Sequence, residues 1–402
     1  MEQKIVVAAF PAEGKETVAT VLYEDGKPAE FCLTPAGQRP VLGNVYVGRV
    51  EKIQKSLSAA FVRFHEDSNG FLPLTGEELS TLHEGDSVIV QIEKEALKQK
   101  LPRLTTNINL AGRWLVFTSG RPTMNFSKKL HEEDRSRLKA LLKPMYDATF
   151  GVIIRTNAAQ AGEKELEEEW KQLAGKMEYI TTYGPSRTTG TCLYREDPEW
   201  IRMIRQCSFL HLNRIVTDLP EIHAETQEFL HRVDPEHRVK CVLYKDDMVE
   251  LFRIYNLTTL FTELTSKRVW LKSGGFLVIE QTEAFCAIDV NTGRYSGNKD
   301  YRSMIRMTNA EAAEESARQI RLRQLSGTIL IDFINMKDPE DRKELIELMQ
   351  DFVKRDVVST KVVDLTALDI MEVTRRKVRR SLAEQHSALT SLDKQTAYSQ
   401  GR

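Results

Sequence analysis

The sequence predicts a multidomain α/β protein that includes a small β-barrel, and three observations carry that expectation. The chain has 402 residues, room for roughly two to three domains at about 150 residues each. Residues 43–106 form a run of short, glycine-broken apolar segments, GNVYVGRVEKIQKSLSAAFVRFHEDSNGFLPL and then LHEGDSVIVQIEKEALKQKLPRLTT. Residues 276–336 read as strand, helix and strand: FLVIEQTEAFCAIDVNTGRYSG, a polar helical stretch, and TILIDFINM.

Composition narrows the class. Hydrophobic residues make up 41% of the chain and charged residues 29%, as is usual for a globular protein. No run reaches the roughly 18 apolar residues that a membrane helix needs, so no membrane span is expected. The start, MEQKIVVAAFPAEGK, has too short an apolar stretch and too early an acid for a signal peptide, and a cytoplasmic protein is expected. Cys32, Cys192, Cys207, Cys241 and Cys286 are scattered and form no CxxC pair. That argues against a disulfide framework and a cysteine zinc site, and reduced, mostly buried thiols are expected. A net charge of −1 gives no global pull on nucleic acid, so if RNA is the partner the attraction must come from local basic patches.

Residues 4–34 read as a β-meander, with Asp25-Gly26 as a strong hairpin signal. The stretch from Gly43 suggests an OB-fold barrel, whose exposed sheet face often offers aromatics for base stacking. Phe61, Phe64 and Phe71 are the stacking candidates, with Arg49, Lys52, Arg63 and Lys100 as phosphate partners. Phe61 and Phe71 also suit a core, but Phe61 shares strand parity with Arg63, which places it on a charged face. Further on, Ser127-Lys128-Lys129 precede a helix, and the strand FGVIIRTNAA ends in Arg155 and Thr156. An arginine fork beside a hydroxyl matches a terminal phosphate; the other reading pairs Arg155 with a glutamate of GEKELEEEWKQLAGKMEYI. Residues 200–265 are mostly helical around the strand HRVKCVLY. Leu251, Ile254, Leu257, Leu260 and Leu264 recur at helical spacing and predict one helix with one buried face.

In the run 276–336, Asp289 and Asp332 each stand where an apolar strand gives out. A charge in a buried strand costs several kcal/mol unless it is paired or binds a metal. With the amide of Asn291 the two carboxylates form an oxygen donor set suited to Mg²⁺ or Mn²⁺; capping of the following turns is the alternative. Arg294 and Lys299 in the next turn would face an anion. The helix NAEAAEESARQIRLRQL puts Ala310, Ala313, Ala317 and Ile320 on one face and predicts a Glu314–Arg318 pair at i, i+4. Arg321 and Arg323 follow toward the second aspartate's strand and are RNA-contact candidates. A helix over 339–355 has Asp338 as N-cap and Pro339 at its first position. TRRKVRR is either a phosphate footprint or a solvated charge run. From Gln385 onward the polar tail is expected to be disordered.

GNVYVGRV, SLSAAFV, GFLPL, GVIIRT and KSGGFLVIEQTEA through DFINM occur in order, and over nearly the whole chain the sequence resembles the ribonuclease E/G family of bacterial endoribonucleases. The resemblance implies an OB-fold RNA-binding barrel over residues 39–118, a 5′-sensor subdomain over 119–199 and a DNase I-like catalytic domain over 266–384. It also implies an RNase H-like scaffold built from 1–38 and 200–265, with 385–402 as a tail. In that family's terms Asp289 and Asp332 bind the catalytic Mg²⁺ and Asn291 orients the site. Phe61, Phe71 and Lys100 contact RNA, and Arg155 and Thr156 bind the monophosphate at the RNA 5′ end.

Two departures from the family stand out. The family commonly has a CPxC motif after the counterpart of RRSLAE, where cysteines from two chains share zinc; here RRSLAEQHSALTSLDK has none. Zinc is therefore not expected, and any homo-oligomer would form otherwise than through a cysteine-zinc link. Ahead of Ser127-Lys128-Lys129, where the family has glycines, stand Met124, Asn125 and Phe126, whose side chains are expected to crowd a terminal phosphate. The function expected is a Mg²⁺-dependent endoribonuclease that cleaves single-stranded RNA to 5′-phosphate and 3′-hydroxyl ends. The alternative is a non-catalytic single-stranded RNA-binding protein with an idle site.

Overall fold

Runs of Val, Ile, Leu and Phe bounded by turn residues become strands, and among the described residues they assemble into four sheets. The computed structural model describes residues 2–12, 14–38, 41–65, 68–95, 101–234, 236–246, 248–293, 301–366 and 368–389. The chain divides into two units, residues 1–38 with 209–402, and residues 39–208.

The first unit opens with the antiparallel strands Gln3–Ala12, Lys15–Glu24 and Lys27–Pro35. Asp25 (φ 47°) and Gly26 (φ 78°) take the left-handed conformations that a tight hairpin turn demands. Leu212–Thr217 and then Lys240–Leu243 add in parallel beside the first strand. Val6, Phe10, Val21 and Phe31 pack against Leu251, Leu257 and Leu264. The single helix predicted over 251–264 is two, Leu251–Ile254 and Leu257–Thr265, because Asn256 turns left-handed (φ 50°) between them. Asparagine tolerates that conformation, and the break leaves Ile254 exposed. Residues 382–389 are helical, Leu389 is buried, and the Gln385 side chain accepts a hydrogen bond from Leu33 N at 2.9 Å. Disorder from Gln385 therefore does not hold for 385–389; residues 390–402 lie outside the described part.

The second sheet of this unit runs Arg268–Trp270, Phe276–Gln281, Phe285–Asn291, Gly327–Asp332, Ile370–Arg375, Thr360–Leu365. Only the central pair is parallel, and the helix Tyr301–Leu322 is the crossover that parallel pairing requires. Leu277, Ile288, Ile331 and Val373 pack on Ala312, Ala313, Ile320 and Met349 of the covering helices. Each large aliphatic side chain so buried contributes roughly 1.5–3 kcal/mol. Arg318 pairs with Glu315 rather than with the predicted Glu314, which is exposed. The helix Pro339–Val353 begins at Asp338, whose Oδ1 accepts from Glu340 N at 2.9 Å.

In the second unit, Val45–Gln54, Ala59–His65, Ser68–Pro73, Arg103–Thr105 and Ser87–Lys94 are neighbours in that order, and the last pairs back on the first. This closure makes a five-stranded, OB-like barrel filled by Val50, Val62, Leu72, Val90 and Leu104. Cys192–Tyr194 adds to the edge of Val45–Gln54. Asn109–Ala111 and Leu115–Thr118 leave the barrel and join Met124–Phe126 and Gly151–Ile154 in a separate sheet. Packing explains the departure: Phe117 meets Trp170 of the helix Glu163–Glu178 at 4.9 Å between ring centroids, and Leu115 joins the same core. Among the described residues no helix is long and apolar enough to cross a membrane.

Candidate active site

Strand parity creates the site. Ile288 and Ile331 point into the helix-covered core, so the residues one position later, Asp289 and Asp332, point to the opposite, open face. The parallel register then pairs Asp289 with Asp332 directly. Both are exposed, and they stand at the carboxyl ends of adjacent parallel strands, where α/β sheets habitually bind ligands. Asn291 Nδ2 donates to Asp289 Oδ2 at 2.8 Å and fixes that carboxylate's orientation.

The electrostatics of the site favour a cation. The Asp332 carboxyl is pushed above its ordinary range, first by partial burial and then by the negative charges of Asp289 and Asp369. Two adjacent carboxylates with oxygen donors only fit Mg²⁺, which keeps several waters and takes one or two carboxylates plus substrate phosphate. Among the described residues no group of three or more His, Cys, Asp or Glu is gathered to hold a metal.

Several groups hold the aspartate strands in place. Asn309, fully buried on the crossover helix, donates through Nδ2 to Ile334 O (2.7 Å) and accepts at Oδ1 from Ile334 N (3.1 Å), clamping the chain just past Asp332. Glu311 of the same helix accepts from Lys272 N (2.5 Å) and Ser273 N (3.1 Å). The loop so anchored ends in Gly275, where a Cβ would come within 2.6 Å of Asn291 O. At Gly293 (φ +66°) a Cβ would lie 2.2 Å from Gly274 O. Glycine at these positions lets the loop close on the end of the Asp289 strand. Arg342 bonds both Asp369 (2.9 Å) and Met336 O (2.8 Å).

Other predicted residues fall differently. Phe61 and Phe71 are register partners, half-buried, with rings 6.2 Å apart. Phe64 is core, packed on Tyr46. Lys100, Arg294 and Lys299 lie outside the described residues. Thr156 is exposed and its Oγ lies 2.8 Å from Ser127 Oγ. Arg155 turns inward: its Nη1 donates to Gly112 O at 2.5 Å, and burial beside Arg205 brings the guanidinium down to about 10 despite Glu169. Met124 and Phe126 pack on the core and Asn125 alone of the three is exposed, so the expected crowding falls on one side chain.

Arg321 and Arg323 correct the expectation of RNA contact. The crossover helix runs antiparallel to the strands it joins, so its last turn lies at the start of Gly327–Asp332, a full strand length from Asp332. Arg321 is 6% exposed and forks onto Glu24 (2.8 and 2.9 Å), with Glu30 at 3.4 Å. Arg323 is 7% exposed and donates to Ser266 O, Glu263 O and Gln319 Oε1, and burial draws it down to about 10. Neither guanidinium faces a ligand.

Sequence reasoning passed over Asn309, although a signal existed: it stands on the buried stripe of Ile305, Ala312 and Ala313, where an asparagine must find polar partners. Asp369 carries no such signal, since it reaches the site through a turn.

Comparison with known proteins adds an independent finding. The profile of the Ribonuclease E/G family matches residues 109–378. The chain is 33% identical to ribonuclease G of Haemophilus influenzae over 381 residues, covering 90% of this chain and 77% of that protein. To ribonuclease G of Escherichia coli K12 it is 32% identical over 403 residues, covering 95% and 81%. To ribonuclease E of Synechocystis it is 31% identical over 399 residues, covering 96% of this chain and 58% of that longer protein.

Proposed function

The chain belongs to the ribonuclease E/G family, and we propose that it is a Mg²⁺-dependent endoribonuclease that cleaves single-stranded RNA to leave 5′-phosphate and 3′-hydroxyl ends. The observation that carries this reading is the in-register pair Asp289 and Asp332 on an open sheet face. Asp289 and Asp332 would hold the cation. When bound, it supplies a Lewis acid for the phosphoryl oxygens and a water of lowered pKa.

The chain's own groups do the positioning. Asn291 holds the Asp289 carboxylate in one orientation, and Asn309 fixes the backbone beyond Asp332. The half-buried Phe61–Phe71 pair on the barrel offers rings for stacking bases without a sequence code. Thr156 with Ser127 offers hydroxyls for a 5′ phosphate, with Arg155 a reserve of charge behind them.

The remaining assignments follow the family. Residues 266–384 act as the DNase I-like catalytic domain and 119–199 as the 5′-sensor subdomain. Residues 1–38 with 200–265 act as an RNase H-like scaffold, a reading supported by three antiparallel strands followed by two parallel ones. The test is cleavage of an end-labelled single-stranded RNA with and without Mg²⁺, by the wild type and by Asp289→Asn. Metal-dependent cleavage lost in the variant is expected. Equal cleavage by both, or tight binding with no cleavage by the wild type, overturns the reading.

A further inference from the structure

The face that bears the aspartates carries a second feature. Register places Arg268, Val278, Asp289 and Asp332 in one row across four strands, and Trp270, Phe276 and Asn291 in the next. Residues opposed in register share a face, so Trp270, Phe276 and Arg268 lie on the open side with the aspartates. Val269 and Leu277, between them in sequence, turn to the helix-covered core.

These three side chains make one cluster. The rings of Trp270 and Phe276 are 5.3 Å apart at 61°. The Arg268 guanidinium lies 4.5 Å from the Phe276 ring centre and 5.6 Å from that of Trp270. Arg268 enters no ion pair among the described residues, whereas Arg302, Arg306, Arg318 and Arg321 of this unit each do. Trp270 is 65% exposed, whereas Trp114, Trp170 and Trp200 are each 9% exposed or less. A lone exposed aromatic needs no explanation. Here, however, an indole, a phenyl ring and an uncommitted arginine sit together on the two strands beside the Asp289 strand, with Phe276 on the nearer one.

We propose that Trp270, Phe276 and Arg268 form a platform on which the RNA stacks a base, that of the nucleotide adjoining the phosphate at Asp289 and Asp332. The proposal rests on the endoribonuclease reading above. Phe276 and Asp289 are diagonal neighbours on paired strands, about 7–8 Å apart, so a strand whose phosphate sits at the carboxylates passes the platform with its next base. Every base has a π face, so stacking holds the strand without reading its sequence. The arginine strengthens the contact through the ring face and supplies positive charge toward the backbone. The three residues position the substrate and take no part in bond breaking.

Trp270 reports on itself, since the other three tryptophans are buried. In an Asp289→Asn background, expected to leave RNA uncut, a short single-stranded oligoribonucleotide is titrated while tryptophan emission and its quenching by acrylamide are followed. Bound RNA is expected to quench emission and to shield it from acrylamide. Trp270→Phe is expected to remove the signal and keep the affinity; Trp270→Ala is expected to weaken binding roughly ten-fold. With Asp289 intact, Trp270→Ala is expected to raise KM by a similar factor with kcat little changed, and an abasic nucleotide at the stacked position should erase the difference between wild type and variant. Circular dichroism checks the fold of each variant, whose altered side chain is exposed. Cleavage by the wild type with no quenching and an unchanged KM in Trp270→Ala overturns the platform and leaves the endoribonuclease reading standing. Quenching and weakened Trp270→Ala binding without any cleavage by the wild type rejects the endoribonuclease reading and upholds the stacking surface.

Discussion

The two ends of the six-stranded sheet handle charge in opposite ways. At the carboxyl ends of its parallel strands Asp289 and Asp332 stand side by side, exposed, with no basic side chain closing on them in the described structure. At the other end Arg375 is buried against Asp356 (Nε to Oδ2 2.7 Å) and donates also to Leu325 O at 3.1 Å. Nearby in the fold Arg321 spends itself on Glu24 and Glu30, and Arg323 on backbone carbonyls. Like charges left facing each other mark a place for a ligand of opposite sign, whereas opposite charges saturated by the protein fasten elements together. The difference teaches that a basic run such as RQIRLR or TRRKVRR is no RNA footprint until its guanidinia are seen to be uncommitted.

Substitutions at the two ends should separate activity from stability. The largest effect is expected at the open end: Asp289→Asn or Asp332→Asn should lower the cleavage rate on the order of 10³-fold, the worth of several kcal/mol of charge stabilisation. Thermal melts should show Tm unchanged or slightly raised, because one of two repelling carboxylates is gone. A large fall in Tm would erase the contrast between the ends. At the closed end the outcome should invert. Asp356→Asn or Arg321→Met leaves a buried charge without its partner and should cost about 3–5 kcal/mol of stability, read from denaturant unfolding. Cleavage per folded molecule should stay near the wild-type value; a loss of RNA affinity in Arg321→Met would restore that arginine as an RNA contact.

Asn309→Ala probes the link between the two ends, since it leaves Ile334 N and O without partners and should cost about 1–3 kcal/mol. Its cleavage rate should fall beyond what the lost folded fraction accounts for, as measured at a temperature where both proteins are folded. The smallest effect is the pH dependence of the closed end. Burial alone would raise the Asp356 carboxyl, but Arg375, Thr360 Oγ and Val358 N more than offset it and hold it below the ordinary range. A depressed carboxyl contributes stability above its unfolded pKa, near 3.9, and loses it as pH falls through the folded value. Tm should therefore drop on acidification below about pH 4, with a shallower drop in Asp356→Asn.

Much of the local structure was legible in the sequence. The Asp25-Gly26 turn, the Asp338 cap with Pro339, the barrel segments and the strand-ending aspartates each announce themselves through residue types a few positions apart, because turn, cap and strand parity are local physics. The break at Asn256 was hidden by a leucine period that runs straight across it. Arg155 shows the limit at a strand's end. Within Gly151–Ile154 alternation decides which way side chains point, but one residue later the Gly112 carbonyl captures the guanidinium and draws it inward.

What the sequence by itself determined is that two carboxylates close two apolar strands and that each must leave the core, since the isoleucines before them fill it. That they meet is tertiary. Their register depends on how the helix Tyr301–Leu322 lays one strand beside the other, and no local period encodes a pairing across such a crossover. The same helix carries Arg321 and Arg323 away from the site and toward Glu24, Glu30, Glu263 and Ser266, far off in the chain. A charge's sign is written in the sequence, but its partner is chosen by whatever the fold brings within about 3 Å of it.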